Sequence, residues 1–140
     1  GGEAVEVGEE AVLTCWSFGE ARAACRAASS AQLAVEGELR RVSRAFAEAD
    51  EAYRRALARE IVVQHDSGVA WSTAPDLARG DELVAGLRRD RDIADGVLEA
   101  TKQAAWRAAA DRKDAQRFAD YSLRRDLMEN GSAAEPAWSR

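Results

Sequence analysis

Aromatic side chains are scarce in this 140-residue chain, at 6% of positions, and alanine dominates the apolar share. Alanine favours helix but buries little area, so any core is thin per residue. That composition argues against a deep catalytic pocket. Histidine occurs once, as His65, and no Gly-x-Ser-x-Gly, Walker A or Rossmann glycine pattern is present. Cysteine occurs twice, and the spacing of Cys15 and Cys25 matches no usual zinc pattern. A structural zinc needs about four ligands; no metal site and no cofactor is expected. Two reduced thiols fit an intracellular protein, while a disulfide between them stays open. No uncharged run approaches the roughly 20 residues that span a bilayer, so no membrane partner is expected. No basic-then-apolar leader opens the sequence.

Positive charge is also in deficit. The net charge is −5, which taken whole argues against a non-specific nucleic-acid binder. The distribution is uneven. Glu3, Glu6, Glu9 and Glu10 stand at the start without a basic partner, while residues 102–125 carry seven basic side chains against three acidic ones. In that stretch Lys102, Arg107, Arg112, Lys113 and Arg117 interleave with Trp106, Phe118 and Tyr121, ahead of Arg124 and Arg125. Single-stranded nucleic acid takes such a mixture, with phosphates on the cations and bases on the rings. The competing reading packs the rings on a partner helix and leaves the cations in water. A second basic cluster is Arg54, Arg55 and Arg59.

What is abundant is helical periodicity. Val35, Leu39, Val42, Phe46, Ala49, Tyr53 and Ala56 recur at alternating steps of four and three, so they share one stripe of a single helix. Such a stripe must be buried against another helix. The expected fold is all-α: two long antiparallel helices, a helical hairpin or coiled coil, with a short N-terminal helix or arm. Residues 1–16 are expected to be an arm, with Ala11–Trp16 as a candidate short strand. The helical domain is expected over 17–130, with helices at about 17–29, 31–65 and 74–129, and a tail over 131–140. Ser17 with Glu20, and Thr73 with Asp76, are candidate capping boxes. Ser29-Ser30 is the expected break after the first helix, and Asp66-Ser67-Gly68 the stop of the second. On the last helix Leu83, Leu87, Ala94, Leu98, Ala105 and Ala109 share a face, while Gly80, Gly86 and Gly96 weaken it.

The apolar ladder is longer than one hairpin covers, so a homo-oligomer is expected, with Val35, Leu39, Val42, Phe46, Tyr53 and the loop residue Trp71 as its interface. Asp90, Asp92 and Asp95 read as a charged face neutralised by Arg88, Arg89 and Arg91 rather than as a metal site.

The segments Glu38–Arg44 and Ala52–Ala58, followed by a glycine-containing break and the charged helix start Ala78–Leu83, resemble small helical proteins of actinobacterial phages. Their layout is similar to that of UvsY-type recombination mediators. The resemblance covers roughly residues 33–128 and implies an oligomer that binds single-stranded DNA and helps load a recombinase. It assigns DNA contact to Arg54, Arg55 and Arg59, in a non-enzymatic protein of the host-cell cytoplasm. Two rivals remain: a protein-binding inhibitor of a host or defence protein, and a virion assembly or scaffolding protein.

Overall fold

A computed structural model of the chain describes residues 17–131. Three helices follow in order: α1 over Phe18–Asp66, α2 over Ala74–Arg79 and α3 over Glu82–Gly131. The described residues are about 91% helical with no strand, and the two long helices pack together. The expected arm (1–16) and most of the expected tail (131–140) lie outside the described residues.

The start of α1 is capped as its sequence requires. Ser17 Oγ accepts the Glu20 N–H at 3.1 Å, and the Ser17 carbonyl accepts the Ala21 N–H at 2.9 Å. The expected break at Ser29-Ser30 does not occur; α1 runs through it. Serine costs a helix only about 0.5 kcal/mol relative to alanine. The buried or half-buried positions Ala21, Cys25, Ala28, Gln32 and Val35 continue the four-three rhythm across that point, so packing outweighs propensity.

The end of α1 is a Schellman closure. The Val69 N–H donates to the Gln64 carbonyl at 3.1 Å and the Gly68 N–H to that of His65 at 3.0 Å. Gly68 sits at φ +104°, where a side chain would be strained. The second expected capping box is not formed. Thr73 makes no side-chain cap bond, and Asp76 instead accepts from Arg79 Nη1 at 2.9 Å. Nor do residues 74–129 form one helix. Gly80 and Asp81 separate α2 from α3, with their N–H groups bonded to the Leu77 and Ala78 carbonyls at 3.1 Å each. Asp81 then starts α3: its Oδ2 accepts the Val84 N–H at 3.2 Å. Asp81→Ala is expected to cost about 1 kcal/mol through loss of this cap, read as a lower thermal midpoint; an unchanged midpoint would deny the cap its role.

The chain divides into two compact units, residues 35–105 and the remainder. In the 35–105 unit, Tyr53 and Ala56 of α1 and Val84 of α3 form a buried cluster against which Leu57 and Leu87 pack. Arg91 of α3 lies over the Tyr53 ring, 4.5 Å from its centroid. Its guanidinium also bonds Asp92 at 3.0 Å and approaches Asp50 at 4.0 Å. The bond to Asp92 raises the Arg91 pKa above its usual value, against the partial desolvation of the group. At the start of α3 the buried residue is Val84, at 1% exposure, whereas the expected Leu83 is 67% exposed. The packed positions Val84, Leu87, Arg91, Ala94 and Leu98 follow three-four steps, and Leu83 falls beside that stripe and faces outward.

In the other unit, Ala21 of α1 and Ala115, Ala119 and Ser122 of α3 are buried. The Cys25 thiol donates to Gln116 Oε1 at 3.2 Å, and Arg112 Nη1 to Gln32 Oε1 at 3.5 Å. Cys25 is therefore a free, half-buried thiol; Cys15 lies outside the described residues.

One local pair has a titration consequence. Arg41 Nε bonds Glu38 Oε2 at 3.0 Å and its Nη2 bonds the other carboxylate oxygen. The hydrogen bond from Arg41 holds the Glu38 pKa below the usual glutamate value. Because the folded pKa is depressed, the pair contributes above the ordinary glutamate range, and the contribution is lost as pH falls through the lowered value. The group is fully exposed, so this effect on stability is slight. In a carboxyl NMR titration Glu38 is expected to titrate below the ordinary range and to return to it in Arg41→Gln.

Candidate nucleic-acid interface

The candidate basic residues separate according to what already holds them. In the 35–105 unit, Arg54 Nε pairs with Asp50 at 2.9 Å and Arg55 with Glu51 at 2.6 Å, each one helical turn away. Lys102 pairs with Glu99 at 3.0 Å. Arg59 makes no ion pair among the described residues; with Arg55, Glu60 and Asp81 it lines a groove of about 360 Å³ beside Leu83. Carboxylates line this groove as well as cations, so it is not a purely basic surface. Lys102 does not join it. Arg91 faces Asp50 and Tyr53, and Lys102 lies eleven residues beyond Arg91 on α3, about 16 Å along the helix.

The other unit carries the more suitable surface. Trp106, Lys113, Arg117, Tyr121, Arg124 and Met128 are spaced by seven, four, four, three and four residues. Those steps place them on one face of α3, away from the buried Ala115, Ala119 and Ser122. The face is open. Trp106 is 75% exposed and Tyr121 42%, and Lys113 and Arg124 are exposed. Lys113, Arg107 and Arg124 make no ion pair among the described residues, whereas Arg117 meets Asp114 at 3.5 Å. Of the sequence candidates, Arg107, Lys113 and Arg117 fall on or beside this face. Arg112 does not, because it turns to Gln32 of α1. The alternative in which all three rings pack inward holds only for Phe118, which is half-buried.

The expected interface residues are placed as follows. Val42 and Tyr53 are buried within the chain, and Val35, Leu39 and Phe46 are half-buried. Trp71 is 57% exposed, with one face covered by His65: the rings stack at 3.6 Å and 15°. His65 Nδ1–H donates to the Val69 carbonyl at 3.0 Å, since a carbonyl can only accept. Trp71 thus plugs the end of α1 and keeps its other face open. Two exposed arginines were missed from sequence: Arg40 and Arg44 line a shallow groove with Arg41. Their four-residue spacing was the available signal.

Among the described residues, no group of three or more His, Cys, Asp or Glu side chains is placed to hold a metal ion. None of their helices is long and apolar enough to cross a membrane. No protein family, curated protein or solved structure matches the chain.

Proposed function

We propose that this chain is a non-enzymatic accessory protein of phage DNA recombination, which binds single-stranded DNA as a homo-oligomer across the outer face of α3. The observation that carries the reading is the Trp106 indole, 75% exposed beside Arg107 and in line with Lys113. An exposed indole among cations offers a base a stacking platform and its phosphate a counter-charge. One strand then draws on Trp106, Arg107, Lys113 and Arg117. Assembly multiplies a modest charge per chain by avidity, which answers the net acidity.

The finer fold belongs to the same proposal: α1 and α3 pair as an antiparallel coiled coil within each unit. In one unit, Cys25 pairs with Gln116 and Gln32 with Arg112, so partners fall on α3 as they rise on α1. In the other, Asp50 meets Arg91 while Ala56 clusters with Val84. The packed positions of α3, from Val84 through Leu87, Arg91, Ala94 and Leu98, keep a three-four rhythm, the heptad signature of left-handed supercoiling.

Leu83, Ile93 and Val97 on α3 are exposed apolar side chains. They favour, as the second reading, a protein-binding role as an inhibitor or a virion scaffold. Fluorescence anisotropy with a labelled single strand, with oligomeric state measured on the same sample, separates the two. Salt-sensitive binding supports the recombination reading, and absence of binding at low salt supports the protein-binding one. A host-cell cytoplasmic location and a recombinase partner follow from the first reading alone.

A further inference from the structure

Self-association needs a surface that the interface expected from sequence does not supply. Val42 and Tyr53 are buried within the chain, and Val35, Leu39 and Phe46 are half-buried. In the 35–105 unit, α3 offers another surface. Leu83, Gly86, Asp90, Ile93, Val97 and Ala100 follow one another at steps of three and four. That is a heptad seam. Each of these residues stands one position before a packed residue, from Val84 to Thr101. The seam therefore lies about 100° round the helix from the packed stripe.

Nothing within the chain covers it. Leu83 is 67% exposed, Ile93 60% and Val97 46%. The seam carries one charge, Asp90, and beside it stands Arg89, which lines a groove next to Ile93. Both are exposed, and neither makes an ion pair among the described residues. They flank the Ile93 position from opposite sides at nearly the same level of the helix. A nucleic-acid strand does not suit such a seam, because a carboxylate lies in its middle.

We infer that this seam is the site where a second copy of the chain docks, α3 against α3, parallel and in register about a two-fold axis. The charges select that arrangement. A two-fold axis along the helices brings the left flank of one copy to the right flank of the other. Arg89 of each copy then meets Asp90 of its partner, while Ile93 packs on Ile93 and Leu83 and Val97 close the layers around it. A shift by one heptad would set each Asp90 against Leu83 or Val97 and leave the carboxylate unpaired in an apolar layer, which is costly. A lone polar position in a heptad core fixes register in this way.

The inference deepens the oligomeric part of the reading above and does not depend on nucleic acid. Sedimentation equilibrium on the full chain, with circular dichroism as the check on helicity, tests it. The wild-type protein is expected to self-associate, and Ile93→Asp to weaken association at least tenfold with helicity unchanged, since Ile93 is exposed within the chain. Arg89→Asp and Asp90→Arg should each weaken association as well, because each sets like charges against one another across the axis. An equimolar mixture of those two variants should recover it as a heterodimer, visible by native mass spectrometry. There position 89 of each variant again faces a charge of opposite sign at position 90 of the other. A wild-type oligomer unaffected by Ile93→Asp would overturn this interface while leaving the oligomeric reading standing. Weakening in both charge variants without recovery in their mixture would overturn the parallel pairing. A monomeric wild-type protein would overturn the interface and the oligomeric reading together.

Discussion

Tyr53→Ala is expected to lower the thermal midpoint further than any other single substitution in the 35–105 unit. The ring is only 6% exposed and forms one side of the cluster with Ala56 and Val84. Few other side chains in that cluster are large, so little can collapse into the space it leaves. Truncating a buried aromatic costs about 3–5 kcal/mol, which for a domain of this size is on the order of 15 °C. Arg91 adds a second loss, because its guanidinium rests on the ring at 4.5 Å. That interaction is worth roughly 0.5–1 kcal/mol where partly exposed. Arg91→Gln removes it with the ring in place, and combining this change with Tyr53→Ala closes a double-mutant cycle that isolates the coupling. Tyr53→Phe keeps both the ring and its cation and is expected to be much milder. A loss below about 1 kcal/mol in Tyr53→Ala would mean that the ring is not packed between α1 and α3.

The same cluster shows why part of the fold was legible in sequence and part was not. The ladder from Val35 to Ala56 could be read because its residues are apolar and keep strict four-three steps, and Val42, Tyr53 and Ala56 are indeed buried. The ladder runs on to Ala21, but there it is made of Cys25, Ala28 and Gln32, whose chemistry does not announce burial. On α3 the expected face departs from the packed one at Leu83. Leu83 is the larger apolar group, yet the packed stripe of Leu87, Arg91, Ala94 and Leu98 extends back to Val84 in three-four steps and leaves Leu83 outside it. Ser122, fully buried on the packed face of α3, could not have been picked from its type.

The basic candidates divide for a related reason. Spacing shows which carboxylates lie within a turn of an arginine but not which one it chooses. Arg54 and Arg55 are held by Asp50 and Glu51, whereas Arg107 and Lys113 have acidic neighbours in sequence and make no ion pair among the described residues. The exposure of Trp106 was equally open from sequence, because an indole on an alanine-rich helix can face either way. Its position between the packed residues Ala105 and Ala108 sends it outward.

That outward indole sets the second large expectation. Trp106→Ala is expected to weaken single-strand binding by about 1–3 kcal/mol, the usual worth of one base–aromatic stack, or roughly five- to 150-fold in Kd. The substitution removes no charge, so the dependence on salt should be unchanged. Lys113→Gln with Arg117→Gln should do the reverse. It should weaken binding at low salt and flatten the slope of log K against log salt by about 0.7 for each phosphate of the strand that is no longer neutralised. None of the three side chains is buried, so thermal midpoints should hardly move, and weaker binding will not reflect unfolding. Arg54→Glu with Arg59→Glu is the comparison. Arg54 is already neutralised by Asp50 at 2.9 Å, so this pair should cost less than the changes on α3. If it abolishes binding while Trp106→Ala does nothing, the strand runs over the turn unit and the outer face of α3 is not the site. If the well-folded wild-type protein binds no strand even at low salt, the nucleic-acid reading is overturned, and the exposed Leu83, Ile93 and Val97 become the surface on which to look for a protein partner.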